Sequence, residues 1–262
     1  VLIERVGGVV GGALGPVPTT IVPAVAGMAA AQGEQELMDS LSVVPAGMLI
    51  NAIFLSVWIY LPRATASLGS ERSLVVTTAT ALLAWAIFGM VTILCIGELS
   101  EYGTGPRTIG MIGIALTAVF GIVLGWKPYE SPKGSREVSK SILLARGLMA
   151  ATAIGASVWV AGLGYPLLAG LASVFPAIFL TSMVSLWISQ GPSVPRGAAA
   201  PMLLGGGSVG VYSLVAMYSL EAHGIILGSI MSWVTAVAVW SMPSYIYLRW
   251  RTGVGDSRKV SS

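Results

Sequence analysis

The side chains best suited to bind a polar solute within this chain are one amide and a few hydroxyls. Asn51 is the most polar side chain well inside an apolar run, and it offers two donors and an acceptor. Gly47, Asn51 and Leu55 follow one another at i, i+4 spacing, which places them on one face of a helix. Ile178, Ser182 and Leu186 repeat that spacing later, and Thr181 and Ser185 add hydroxyls beside them. Two further polar positions end runs that regular helix tolerates poorly. Thr19 and Thr20 close Gly15-Pro16-Val17-Pro18-Thr19-Thr20, and Ser208 closes Gly205-Gly206-Gly207-Ser208. A half-helix starting at such a point takes Thr or Ser as its N-cap. Its free N–H groups attract negative charge. At membrane depth, unwound backbone is tolerated only where it is buried in protein or lines a cavity. The expected solute site is therefore Thr19, Thr20, Asn51, Thr181, Ser182 and Ser208, shaped by the breaks or kinks at Pro16, Pro18, Pro45, Pro176 and Gly206. The competing explanation is packing, because Gly and Pro are common in membrane helices. An Asn there often makes an interhelical hydrogen bond worth about 0.6–2 kcal/mol.

Other chemistry has few residues to work with. Cys95 is the single cysteine and His223 the single histidine. Neither a disulfide framework nor a thiolate or paired-histidine metal site is expected. Every Asp, Glu, Lys and Arg falls at the end of an apolar run or between runs, with Glu98 and Arg107 closest to the apolar interior. Proton relays and buried carboxylate cation sites are thus disfavoured, whereas Na⁺ coupling through carbonyls and hydroxyls stays open. No Gly-Lys-Ser/Thr follows the glycine pairs, so no phosphate loop is indicated. Catalysis would need a nucleophile beside a base or metal, and the lone His and Cys lie on different elements. Neither enzymatic activity nor a cofactor nor a nucleic-acid partner is expected.

The elements that would position these residues follow from composition. Of 262 residues, 55% are hydrophobic and 10% charged, and the mean hydropathy is +0.84. A soluble domain carries about 25% charge, so such a chain cannot cover a water-facing surface. An all-α, polytopic membrane protein is expected. A spanning helix needs about 20 apolar residues. Eight runs qualify: 6–31, 41–61, 74–96, 109–126, 143–161, 165–188, 197–220 and 224–248. The first holds Pro16, Pro18 and Pro23, and is either a broken spanning helix or a re-entrant hairpin. If all eight cross, every Lys and Arg except Arg107 falls on one face, while Glu34, Glu36, Asp39, Glu98, Glu101 and Glu221 fall on the other. The positive-inside rule then places the basic face and both termini in the cytoplasm, in a cell or inner membrane.

An internal duplication is expected as well. Ser42-Val43-Val44-Pro45-Ala46 matches Ser173-Val174-Phe175-Pro176-Ala177, half the chain length away. Residues 1–131 and 132–262 would then form two four-helix repeats, parallel because an even number of crossings restores the starting face. Pro45 and Pro176 would kink equivalent helices. Together these features suggest a permease for a small neutral, zwitterionic or anionic solute bound at the repeat interface. A passive pore and a non-transporting membrane subunit are the alternatives. The bilayer is the expected surrounding, and homo-oligomers are compatible with the pattern.

Overall fold

Glycine and proline punctuate the chain, and the helices begin and end at them. The structure, a computed structural model, describes residues 18–126 and 140–252. Within these residues there are helices and connecting turns but no strand. The order is α1 (Ile21–Ala31), α2 (Glu34–Ala64), a 3₁₀ turn (Ala66–Leu68), α3 (Ser70–Glu101), α4 (Pro106–Gly125), α5 (Lys140–Gly162), α6 (Pro166–Ser173), α7 (Ala177–Gln190), α8 (Ser193–Ala236), a π-helical turn (Val237–Ser241) and α9 (Met242–Thr252). Pro106 and Pro166 stand in the first turns of α4 and α6, where a missing N–H costs nothing. At the start of α2 the Glu36 carboxylate accepts the Gly33 N–H at 3.2 Å, and Glu34 and Glu36 complement the helix dipole.

Six helical stretches among the described residues are long and apolar enough to cross a membrane. The chain is a helical, membrane-embedded protein. The last stretch is assigned as one unit, but it turns back at Gly224, whose φ of +74° suits a residue without a Cβ. The two arms, 193–223 and 225–252, pair antiparallel. The Ser219 hydroxyl bonds the Ser232 hydroxyl at 2.7 Å and the Gly228 carbonyl at 3.0 Å, and farther down the Trp240 indole donates to the Leu204 carbonyl at 2.6 Å.

α2 is the core of the assembly. Of its most apolar stretch 72% is buried, against 17% for α3 and 6% for α5. In lipid, the apolar faces of α3 and α5 need no protein cover, since acyl chains are as apolar as Leu. Around α2 pack α3, α4, α6 and α8, and small residues let them approach closely. A Cβ on Gly113 would lie 2.8 Å from the Ala46 backbone nitrogen, and one on Gly170 would strike the Ser40 carbonyl oxygen. Charge is sorted by end. Arg107 pairs with Glu221 at one end, near Glu34, while Arg196 donates to the Ile59 carbonyl at the other. These are called the acidic and basic ends below.

Two expectations about backbone breaks need correction. Gly205-Gly206-Gly207 does not interrupt its helix, and Ser208 is not an N-cap. α8 runs straight through, and the Ser208 hydroxyl donates back to the Gly205 carbonyl at 2.8 Å. The glycines are used for close packing instead: Gly206 faces Met48 and Phe179, and Gly207 faces the Trp240 indole. The matched prolines also differ in effect. Pro45 lies inside the continuous helix α2, whereas at Pro176 the sixth segment is fully broken into α6 and α7. Pro16 and the other residues before Pro18 lie outside the described residues, and α1 is the described half of the first segment.

Candidate functional site

The break at Val174-Phe175-Pro176 builds the site. Pro176 cannot donate a backbone hydrogen bond, so a helix arriving along α6 loses its ladder there. Val174 leaves helical geometry at φ −109° and ψ 16°, and Pro176 becomes the N-cap of α7 at φ −75° and ψ 40°. The freed Val174 carbonyl needs a donor, because an unpaired buried carbonyl costs about 1–3 kcal/mol. Asn51 supplies it. Its side-chain Nδ2 donates to the Val174 oxygen at 2.9 Å, and its Oδ1 accepts the Trp85 indole N–H, also at 2.9 Å. One turn before Asn51, Gly47 leaves room for the Val174 side chain. The i, i+4 face of α2 thus grips the break twice, by shape at Gly47 and by hydrogen bond at Asn51. α3 closes the other side: the Phe175 ring meets Trp85 edge-on at 5.2 Å between centroids, and Gly89 abuts Leu171.

A cavity of about 60 Å³ lies at this break. Its walls include Thr20 and Ile21 from the start of α1, Asn51 from α2, Ala153 from α5, and Pro176 with Ile178 from the start of α7. Two helix N-termini therefore reach one space. Among the described residues neither N-cap side chain bonds a first-turn amide; the Ala177 N–H of α7 donates to the Phe175 carbonyl at 2.7 Å, and Pro23 brings no N–H to the first turn of α1. No charged side chain is among the described residues lining the cavity. The local field is set by the positive ends of two helix dipoles, the Asn51 amide and the Thr20 hydroxyl.

Depth follows from helix length. At a rise of 1.5 Å per residue, α1 spans about 16 Å, α6 about 12 Å and α7 about 21 Å. α1 and α6 reach inward from the acidic end, and α7 continues to the basic end. The cavity consequently sits near the middle of a layer about 30 Å thick, the thickness of a hydrocarbon core.

The structure brings together two of the six expected binding residues, Thr20 and Asn51, at this cavity. The other four stand elsewhere. Thr19 is exposed beside Thr20. Thr181 bonds the Ala177 carbonyl at 2.7 Å, one turn back on its own helix. Ser182 and Ser208 are buried away from the cavity lining. Of the backbone-shaping residues, Pro176 lines the cavity, Pro18 is buried two residues before Thr20, and Pro45 packs against Gly113 and Gly210. Val174 and Phe175 stand in the repeated motif but were not expected at the site, and Trp85 stands in no motif. Trp85 stands in a featureless apolar run, and nothing in that run marks it as the partner of Asn51. Among the described residues no three His, Cys, Asp or Glu gather in a metal-like group. The chain matches no protein-family model, and no curated protein or solved structure shows significant similarity to it.

Proposed function

We propose that the protein is a membrane permease for a small neutral, zwitterionic or anionic solute, and that the cavity at the 174–176 break is its binding site. The observation that carries this proposal is the meeting of two uncapped half-helix N-termini at one cavity near mid-depth. Helix starts that meet in an apolar layer are useful mainly to a ligand bearing negative charge or strong acceptors. Within this class a carboxylate-bearing solute fits best, because among the described residues no cation lines the space to hold a polyanion and no carboxylate lines it to hold an amine.

Repetition supports movement around the site. Pro18, Gln32 and Gly33 recur 158 residues later as Pro176, Gln190 and Gly191. Each set contains a half-helix, α1 or α7, and is followed by two long helical stretches: α2 and α3 in the first case, the two arms of α8 and its continuation in the second. α1 runs towards the acidic end and α7 towards the basic end, so this relation is inverted. The 131-residue register of the Pro45 and Pro176 motifs would instead relate parallel halves. We favour the inverted register as the one that builds the cavity, since both of its half-helices line it. Rocking of one such unit against the other would open the site to each face in turn. With eight crossings, the basic end would face the cytoplasm.

Uptake of ¹⁴C-labelled short carboxylates into proteoliposomes tests the proposal. Saturable uptake that falls at least tenfold in Asn51→Leu and Thr20→Val is expected. Flux that rises linearly with concentration would favour a passive pore. No flux above empty liposomes, for any carboxylate or neutral analogue, would refute both.

A further inference from the structure

We infer that the solute is amphipathic: its polar group occupies the cavity at the break, and its aliphatic part passes Phe175 into the groove between α3 and α5. This inference rests on the binding site proposed above and narrows its ligand class.

The first argument is size. The cavity of about 60 Å³ is well under half of the roughly 150 Å³ of a protein cavity that holds benzene. It can accept a carboxylate-sized group and little more. Whatever else the solute carries must extend into adjoining space. That space exists. A groove of about 400 Å³ lies next to the cavity, walled by Trp85, Met149, Thr152, Ala156 and Ala172. Ala153 and Phe175 belong to both linings, so the two compartments adjoin at those side chains.

The second argument is chemistry. Polar atoms in the groove wall are already engaged. The Thr152 hydroxyl donates to the Leu148 carbonyl at 2.9 Å on its own helix, and the Trp85 N–H is held by Asn51. The remaining wall side chains are apolar. A solute part lodged there gains by burying hydrocarbon and finds no free side-chain donor for a carboxylate. The cavity is the more polar of the two: the Thr20 hydroxyl and two helix starts reach it, beside an Asn51 amide already bonded to Val174 and Trp85. One polar compartment of carboxylate size joined to one apolar compartment fits a single molecule with a polar head and an aliphatic chain.

The third argument is the partition itself. Phe175 makes no hydrogen bond through its side chain, and an edge-on contact with Trp85 holds its ring. A rotamer change moves it without breaking the Asn51 bonds to Val174 and Trp85. Phe175 is thus the specificity-determining side chain between head and chain compartments.

Titration calorimetry on the full chain in lipid nanodiscs, with acetate, butyrate, hexanoate and octanoate, tests this inference. In the wild type, affinity should rise about fourfold per added methylene. Ala156→Phe fills the groove from a lipid-exposed position that does not line the cavity. It should leave acetate affinity unchanged and flatten the series to the acetate value. Unchanged acetate binding also certifies that this variant is folded. Equal gains per methylene in both proteins would mean that the chains merely partition into the bilayer and that lipid fills the groove, which overturns the inference. A flat series in the wild type overturns it too, while leaving the binding site in place. If no carboxylate, acetate included, binds the wild type, the binding site itself falls and this inference with it.

Discussion

Asn51 is the residue on which the break depends, and its energetic role can be isolated. Asn51→Leu removes the donor to the Val174 carbonyl and the acceptor for the Trp85 N–H. Both partners are left in a buried, apolar setting. An orphaned buried group costs about 1–3 kcal/mol, but membrane hydrogen bonds average nearer 0.6. A loss of about 2–4 kcal/mol is therefore expected for the two together. Trp85→Phe keeps an aromatic ring beside Phe175 but removes the indole N–H and part of the ring system, so it should cost about 1–2 kcal/mol. In the double variant, the orphaned N–H no longer exists. Its destabilisation should fall short of the sum of the single variants by about 1–2 kcal/mol. Equilibrium unfolding in mixed SDS micelles, followed by circular dichroism, measures all three. Additivity within about 0.5 kcal/mol would refute the coupling of Trp85 to the break through Asn51.

Three further substitutions probe other parts of the framework. Gly170→Ala puts a methyl group against the Ser40 carbonyl oxygen, where only backbone movement relieves the clash, so a loss of at least about 3 kcal/mol in the same unfolding assay is expected. Gly147→Ala, with nothing within 4 Å of the new Cβ, serves as its neutral control. Gly224→Ala meets no neighbour either, but its φ of +74° makes the hairpin strained, and about 1–2 kcal/mol of stability should be lost. Arg107→Gln breaks the pair with Glu221 and the stacking on Tyr218 at 4.6 Å. Both partners of the ion pair are about half exposed, so a loss under about 1 kcal/mol, smaller still in 0.5 M NaCl, is expected from thermal melts.

Much of the helical layout was legible in the sequence, because continuous apolar runs and charged punctuation report directly on burial in lipid. Each described helix overlaps an expected run, and several, α2 and α3 among them, extend beyond it by a few mostly polar residues. Glu34–Ser40 in α2 illustrates this: those residues are too polar to count as a span, yet Glu36 and the helix dipole make them a good first two turns. The Asn51 face was also legible, since i, i+4 spacing needs no tertiary information. What that face touches was not. Pairing Asn51 with Val174 and Trp85 links positions 123 and 34 residues away, which local pattern cannot reveal. The breaks were misjudged for a related reason. Three consecutive glycines weaken an isolated helix, but here Met48, Phe179 and Trp240 pack into the space they leave, and α8 continues through them without a break. Pro45 and Pro176 share a five-residue context and still differ. Pro45 sits in a helix packed closely by Gly113 and Gly210, whereas the residues before Pro176 have Asn51 at hand to take the freed carbonyl.

The central claim is that the space between the starts of α1 and α7 is a solute site reached from water. The most direct measurement is chemical access to that space. Ile178 lines the cavity, and Cys95 is the single native cysteine. In a Cys95→Ala background, Ile178→Cys should react with a membrane-impermeant maleimide far faster than Leu83→Cys on the exposed, lipid-facing surface of α3. A transported carboxylate should slow that reaction at concentrations near its half-saturation for uptake. Reaction at position 178 no faster than at position 83, or a rate indifferent to every carboxylate transported, would contradict the claim.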